Sequence, residues 1–337
     1  MNKEKTSIDI KMFTRDANFF RLFIVFLAVL AVCTALKGSQ FLNPGNFQSM
    51  MKQFPEYGLL AVAISLALLI GGIDLSAVYI ANLSAIIAGK FLLSAVGADA
   101  AGGRVYTMIF LSFGIAVVVG ALAGALNGYL ISGFGIPVML ATLGTQSLFW
   151  GFGVVLTGGS SMSGFPKQLA SMLNKSIGIV PVTVILFAAA SVVAALIVSR
   201  MVLGRQMKMY GTNNKATVYA GLNNMKLVIT THVIGGILAS LSGIIMWGRY
   251  SSCKADNGAT YTMQAILIAV MGGISPNGGK GNIQGVVLAV LIIQMVSSVL
   301  NMFNNIPTAC RQIIWGGLLL IVMIFNYIVN NRSKHHG

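Results

Sequence analysis

The sequence predicts an all-α fold, a polytopic membrane bundle of about ten transmembrane helices, and three observations support this prediction. Of the 337 residues, 56% are hydrophobic and only 9% are charged, whereas about 25% are charged in a typical soluble domain. Apolar stretches of about 20 residues, the length that a helix needs to cross a bilayer, recur from Phe19 to Val329. Glycine, proline and charged residues separate these stretches.

The predicted crossings follow one another with short connections, and those near 77 and 259 are also compatible with broken or re-entrant helices. They lie at about 19–36, 55–72, 77–97, 105–131, 137–157, 178–203, 227–249, 259–274, 282–303 and 309–329. The transmembrane domain is therefore expected to occupy residues 19–330, between an N-terminal tail (1–18) and a C-terminal tail (331–337). The two longest connections, 158–177 and 204–226, are too short to enclose a core.

The basic residues predict the orientation of the bundle. A net charge of +15 would suggest a nucleic-acid partner in a soluble protein, but here the charges lie at segment ends, so no such partner is expected. Two clusters of five basic residues are expected to be cytoplasmic under the positive-inside rule. They are Lys3, Lys5, Lys11, Arg15 and Arg21, and Arg200, Arg205, Lys208, Lys215 and Lys226. An even number of crossings then places both termini in the cytoplasm.

Small residues at helical spacing predict where helices touch. In "GALAGALNG", Gly120, Gly124 and Gly128 lie on one helix face, which lets another backbone approach closely. Gly236, Ser240 and Gly243 form a second such stripe. Cys33, Cys253 and Cys310 are too scattered for a disulfide framework or a metal cluster and are expected to be small apolar fillers.

No enzyme motif is recognisable, so the chain is not expected to be an enzyme or to bind a metal or cofactor. The histidines, His232, His335 and His336, are too few for a zinc site or a catalytic triad. The stretch "GGISPNGGKGN" has Gly281 where a phosphate-binding loop needs Ser or Thr. Energy for transport must come from an ion gradient or another subunit, unless transport is passive. Acids in helices are scarce, with Asp74 and Glu56 the two candidates, which weighs against ion coupling.

Several motifs, in their order along the chain, resemble the permease subunits of bacterial sugar-type ABC importers, the group for ribose, xylose, galactosides and autoinducer-2. They include "IGGIDLS" at 70–76, "GALNGYLI" at 124–131, "PVMLATLGTQSLFWGFGVVLTGGSSMSGFP" at 137–166, "GRQMKMYGTNNKATVYAGLN" at 204–223, "LASLSGIIMWGRYSS" at 238–252 and "AILIAVMGGISPNGGKGNIQGVVLAVLIIQMVSSVLNMF" at 265–303. The resemblance extends over nearly the whole chain after about residue 45.

The resemblance implies a permease subunit in the bacterial plasma (inner) membrane that imports a monosaccharide or a related small solute. The implied partners are an ABC ATPase, which binds ATP and Mg, and an extracytoplasmic solute-binding protein. The chain departs from the family pattern at Lys215, Thr217, Gln264 and the Ser297–Ser298 pair. These departures fit pairing with a different second permease, so a heterodimer and a homodimer both stay open. The alternative from another class is an ion-coupled secondary transporter that acts without an ATPase.

The 204–226 segment resembles the family's coupling loop. "NNKATVYAGL" predicts a short helix that ends at Gly221 and can sit in a groove on an ATPase. The expected coupling residues are Asn213, Asn214, Lys215, Ala216, Thr217, Ala220 and Gly221.

Asp74 follows a glycine pair inside an otherwise apolar run. The preferred interpretation is a helix cap, in which the carboxylate accepts free N–H groups at the positive end of the next helix. The alternative is a direct role in the solute pathway. Other pathway candidates are polar residues in apolar helices, each of which could equally bond a neighbouring helix. The pathway candidates are Asp74, Asn82, Asn127, Thr142, Gln146, Gln264, Gln294 and Asn301.

Glycines mark two predicted helix breaks, and the hypothesis is that these breaks act as hinges. They are Gly71 and Gly72 before Asp74, and Gly272, Gly273, Gly278 and Gly279 in "MGGISPNGGKGN", where Pro276 also prevents helix continuation.

Overall fold

The computed structural model describes residues 17–96, 102–303 and 313–324. Within them the named regular elements are helices, apart from one two-stranded hairpin. The elements are α1 (Ala17–Phe41), α2 (Pro44–Leu69), α3 (Ala77–Ala95), α4 (Gly103–Gly133), α5 (Val138–Thr157), α6 (Lys167–Leu173), β1 (Ser176–Ile177), β2 (Val180–Pro181), α7 (Val182–Ser199), α8 (Val202–Thr212), α9 (Asn214–Tyr219), α10 (Asn224–Tyr250), α11 (Tyr261–Met271), α12 (Ile283–Asn301) and α13 (Ile313–Ile324).

The predicted all-α membrane fold is confirmed. Seven of the described helices, α1, α3, α4, α5, α7, α10 and α12, are long and apolar enough to cross a membrane by length and composition. The 26-residue α2 has sufficient length, and the shorter apolar helices α11 and α13 lie in the predicted crossings 259–274 and 309–329. The number of ten crossings is thus an approximation.

Two predicted boundaries were wrong. The crossing expected at 55–72 begins earlier, because α2 starts at Pro44, where Asn43 caps it, and continues through Pro55. The crossing expected from 178 begins at Val182, because β1 and β2 form an antiparallel hairpin whose turn includes Gly178, at a φ of 64°. Apolar hairpin residues such as Ile179 had made the membrane run look longer than it is. The two predicted tails lie outside the described residues, except that residues 17 and 18 belong to α1.

α2 forms the centre of the bundle. Every residue from 54 to 70 is buried, as expected for a helix that is apolar on all sides. α5 lies at the periphery instead, and its large side chains Leu140 and Val155 are 62% and 79% exposed. Such apolar exposure is what a lipid-facing helix requires.

The two predicted glycine stripes pack against each other. A methyl group at Gly120 would overlap Gly236 and Ser240, and one at Gly124 would overlap the carbonyl group of His232. α4 and α10 therefore cross with their backbones in contact, the close approach that small residues permit in membranes. Gly243 packs instead against Ala81 of α3.

Cys33 and Cys253 are buried free thiols, as the filler interpretation predicted, and Cys310 lies outside the described residues. Cys253 is in the connection between α10 and α11, where burial raises the pKa of its thiol. Its backbone pairs with Met162 in an antiparallel bridge, so it ties two connections at one end of the bundle.

Candidate translocation and coupling sites

Asp74 lies in the helix break between α2 and α3, where it bonds Ser76, the N-cap residue of α3, and not, as expected of a cap, the described N–H groups of the first helical turn. α2 ends at Leu69, and Gly71 adopts a φ of 88°, which redirects the chain. Oδ1 of Asp74 accepts hydrogen bonds from the backbone N–H of Ser76 at 2.8 Å and from its hydroxyl at 2.7 Å. Asp74 is only 6% exposed, and its negative charge lies at the positive end of α3.

Three of the proposed pathway residues meet at this break. Asn127 of α4 donates from Nδ2 to the Ser76 hydroxyl at 2.7 Å. The hydroxyl of Thr142, on α5, donates to the carbonyl oxygen of Ile73 at 3.1 Å and accepts from the N–H of Leu75 at 3.2 Å. Asp74, Asn127 and Thr142 thus bind one short non-helical segment to two neighbouring helices. The remaining buried acceptor, Oδ1 of Asn127, has no described partner.

The other pathway candidates are dispersed. Asn82 donates to the carbonyl oxygens of Ala255 and Asn257, so it holds the α10–α11 connection. Gln294 of α12 accepts from the Tyr57 hydroxyl. Gln264 is buried in α11, Gln146 is half-buried one turn beyond Thr142, and Asn301 is exposed at the end of α12. His232 is a packed histidine, 3% exposed, with Nδ1 3.0 Å from the carbonyl oxygen of Val228.

A buried charged cluster around Glu56 was not predicted. One carboxylate oxygen, Oε1, accepts from the Arg249 guanidinium and from the Tyr261 hydroxyl at 2.7 Å, with the Tyr250 hydroxyl at 3.3 Å. The Glu56 side chain is fully buried and that of Arg249 is 26% exposed. The cluster joins α2 to the end of α10 and the start of α11. Glu56 is 193 positions from Arg249 and 205 from Tyr261 in the sequence, which explains why sequence patterns did not reveal their contact.

The 204–226 segment, predicted as a loop with one short helix, contains the end of a second helix as well. α8 runs to Thr212, and α9 follows as the predicted short helix. The Asn213 side chain caps α9 by accepting from the N–H groups of Lys215 and Ala216. Gly221, at a φ of 74°, ends the turn after α9. The helix is therefore defined at both ends by local hydrogen bonds.

A junction of three glycine-containing backbones connects this segment to both helix breaks. The N–H of Gly279, in the α11–α12 connection, donates to the carbonyl oxygen of Leu69 at the end of α2, at 2.9 Å. A methyl group at Gly211 of α8 would overlap that same carbonyl oxygen, and one at Gly278 would lie 2.8 Å from Gly211 O and Gly71 Cα. We call this crossing the glycine junction. It brings together the predicted breaks and the coupling segment, a proximity that the sequence did not indicate.

A cavity of about 630 Å³ opens beside the glycine junction. Its walls come from the α2–α3 break, the α4–α5 turn, the α8–α9 segment and the start of α10. Tyr210, Asn213 and Lys215 contribute polar groups to it. Tyr210 is partly buried there, and this burial raises the pKa of its hydroxyl group.

The chain consists of apolar helices that are broken at two glycine-containing turns. Polar side chains gather at one of these breaks, and a capped basic segment lies against both. This architecture is that of a multi-pass membrane transport subunit. Residues 46–323 match the family described as branched-chain amino acid transport system / permease component, and the chain belongs to that family. It is a permease subunit of an ABC-type importer.

Three curated relatives illustrate the range of the family. The D-allose transport system permease protein AlsC of Escherichia coli is 28% identical over 91% of this chain and 91% of its own. The ribose import permease protein RbsC of Haemophilus influenzae is 26% identical over 97% and 98%. The autoinducer 2 import system permease protein LsrD of Photorhabdus luminescens is 29% identical over 83% and 81%.

Proposed function

We propose that this chain forms the membrane pathway for a monosaccharide or a related small solute, with ATP hydrolysis on a separate subunit driving import. The relatives transport allose, ribose and autoinducer-2, which supports this class of solute. The observation that carries the proposal is the glycine junction, where the α8–α9 segment touches both helix breaks. A movement at α9 therefore has a direct route to the segment held by Asp74, Asn127 and Thr142.

The geometry supports a specific sequence of contacts. An ATPase that binds and hydrolyses ATP with Mg would displace α9 with its seven expected coupling residues, from Asn213 to Gly221. Gly211 contacts the Leu69 carbonyl group without an intervening side chain. A displacement of α9 would therefore move the α2–α3 break by a similar distance, because closely packed backbones transmit strain. Bending at Gly71 and Gly72, and at Gly272, Gly273, Gly278 and Gly279, would then move the polar cluster relative to α4 and α5.

The complex would contain a second permease, either another copy of this chain or a different subunit, together with an extracytoplasmic binding protein. We place it in a bacterial inner membrane with residues 1–18, the 204–226 segment and residues 331–337 in the cytoplasm, because the positive-inside rule favours this orientation. This chain would itself bind neither ATP nor a metal.

The deciding experiment measures ATP hydrolysis by the whole complex. Genes from the operon of this chain are co-expressed, the complex is placed in lipid nanodiscs, and each candidate binding protein is tested with a sugar panel that includes ribose and allose. We expect one binding protein with one sugar to stimulate hydrolysis. Uptake by this chain alone, driven by an ion gradient with no ATPase present, would overturn the proposal in favour of a secondary transporter.

A further inference from the structure

A line of polar side chains leads from the end of α10 towards the centre of the bundle. Its outer members are the last two residues of α10, Arg249, whose side chain is 26% exposed, and Tyr250, which is 43% exposed. The Tyr250 hydroxyl lies 3.2 Å from that of Tyr261, the first residue of α11. All three side chains contact Oε1 of Glu56 on α2, which is fully buried. Polar groups therefore pass from the surface to the core within one cluster.

The line continues inwards through two tyrosine rings. The ring centroids of Tyr261 and Tyr57 are 5.7 Å apart, and the Tyr57 hydroxyl donates to Oε1 of Gln294 on α12. Gln294 is 1% exposed. We call the six residues of this line the polar track: Arg249, Tyr250, Tyr261, Glu56, Tyr57 and Gln294. The polar track connects α2, α10, α11 and α12, and it is open to the surface at the Tyr250 end.

Two hydrogen-bonding atoms at the buried end of the polar track lack partners among the described residues. They are Oε2 of Glu56 and Nε2 of Gln294, and both atoms are buried. Buried polar groups are nearly always hydrogen-bonded, and a buried carboxylate oxygen without a donor is especially unfavourable. One acceptor and one donor in the same track are therefore available to a ligand that reaches it.

The chemistry of the polar track favours a neutral ligand with hydroxyl groups. The Arg249 guanidinium neutralises the Glu56 carboxylate, so the pair attracts neither a cation nor an anion by net charge. A hydroxyl group both donates and accepts, so hydroxyl groups can satisfy Oε2 of Glu56 and Nε2 of Gln294. The half-exposed Tyr250 ring adds a flat apolar surface, which suits the C–H groups of a sugar ring.

The position of the polar track fits the entrance of a transport pathway. α10 begins at Asn224, beside the segment that we place in the cytoplasm, and ends at Tyr250, so the exposed end of the track faces the extracytoplasmic side. At a rise of about 1.5 Å per residue, Glu56 lies roughly 20 Å along α2 from Leu69, where the helix ends. The polar residues at the α2–α3 break are thus near the opposite end of this crossing.

We propose that the polar track is the entry subsite for the solute. Oε2 of Glu56 accepts a hydrogen bond from one solute hydroxyl, Nε2 of Gln294 donates to a solute hydroxyl oxygen, and the Tyr250 ring covers an apolar face of the solute. This inference rests on the proposed function and adds the residues that would recognise a polyhydroxylated solute before it reaches the α2–α3 break. If the polar track only holds the helices together, its residues affect transport without regard to the hydroxyl groups of the solute.

The test removes one hydrogen-bonding group from the protein and one from the solute. Glu56→Gln keeps an oxygen for Arg249 and Tyr261 and places an amide N–H₂ group where Oε2 lies. Gln294→Met removes Nε2 at similar volume. The matched controls are Asp256→Asn, an exposed carboxylate between α10 and α11, and Gln53→Met, one turn before Glu56 on α2.

Uptake is measured in proteoliposomes that contain the full complex, with saturating binding protein loaded with ribose, with allose or with a single-deoxy analogue of either sugar. The binding protein is the same for every variant, so its own preference cancels when the ratio of uptake rates for sugar and analogue is compared between variants. Thermal unfolding of each permease variant is measured in parallel. If Glu56→Gln does not assemble, Gln294→Met alone decides the test.

We expect the unchanged complex to transport at least one deoxy analogue about tenfold or more slowly than the intact sugar, because a hydrogen bond to a charged group is lost. In Glu56→Gln the intact sugar should slow by a similar factor, and removal of that hydroxyl should have no further effect. Gln294→Met should likewise abolish the penalty for one analogue, whereas both controls should keep every ratio.

A uniform slowing of all sugars and analogues in both variants would overturn the inference and assign the polar track to structure alone. Unchanged uptake in both variants would overturn it as well. If the unchanged complex takes up no sugar with any binding protein, the proposed function itself fails, and this result is separate from the comparison of ratios.

Discussion

Asp74 has two hydrogen bonds from Ser76 and a position at the start of α3, so its substitution separates a capping role from a charge role. We predict that Asp74→Asn keeps near-normal stability and uptake, because the asparagine oxygen still accepts the Ser76 N–H. Asp74→Ala should lose about 1 kcal/mol, the typical net value of a hydrogen bond such as that from the Ser76 N–H. Thermal unfolding in detergent and solute uptake in vesicles measure the two effects. Loss of uptake with both variants, at unchanged stability, would assign the charge to transport.

A larger loss of stability is expected for substitutions in the Glu56 cluster, because its carboxylate is fully buried. Glu56→Ala should destabilise the protein by roughly 3 kcal/mol, the lower end for breaking a buried pair because Arg249 is partly exposed. Arg249→Ala and the double variant complete a cycle measured by denaturant unfolding. If the two single effects simply add in the double variant, Glu56 and Arg249 do not stabilise each other.

Single residues were predictable from the sequence where their role is local. The Asn213–Gly221 helix depends on neighbours within a few positions and has the expected cap, whereas Asp74 forms a local turn with Ser76 in place of the expected cap on α3. The meeting of Asp74 with Asn127 depends on how α4 packs, which no local pattern specifies. The Glu56 partners were missed for the same reason.

At the scale of elements, the α4–α10 contact predicts a contrast between two glycines of one helix. A methyl group at Gly124 would overlap the His232 carbonyl group, whereas Gly114 faces open space. Gly124→Ala should therefore cost about 1 to 3 kcal/mol from overpacking, and Gly114→Ala should be neutral or slightly stabilising, since alanine favours helix. The midpoint of thermal unfolding compares the two variants. Equal midpoints would show that α4 and α10 do not pack as closely as described.

The helices themselves were predicted well because hydropathy reports membrane length directly. The start of α2 was missed because Lys52, Pro55 and Glu56 resemble the end of a crossing, although Glu56 is buried against Arg249. The hairpin before α7 was missed because its apolar residues prolong the hydrophobic run. In both cases tertiary contacts determine the boundary and composition does not.

At the scale of the whole molecule, the orientation in the membrane is open to a direct test. Lys215 in α9 and Lys254 between α10 and α11 are exposed at the two ends of the 27-residue α10 segment. We predict that Lys215→Cys reacts with a membrane-impermeant maleimide only after cells are opened, and that Lys254→Cys reacts in intact cells. The unchanged chain measures the background from native cysteines. The reverse pattern would invert the proposed topology.

Hydrogen exchange at the glycine junction can report how often this part of the protein opens. The amide hydrogen of Gly279 is held by the Leu69 carbonyl oxygen, so it can exchange with deuterium only while the crossing is parted. Its exchange rate would report how often the crossing opens in the resting protein, without any solute or nucleotide. An exchange rate that rises when ATP is hydrolysed would show that the glycine junction opens during the transport cycle. The measurement follows one backbone hydrogen and needs no attached probe.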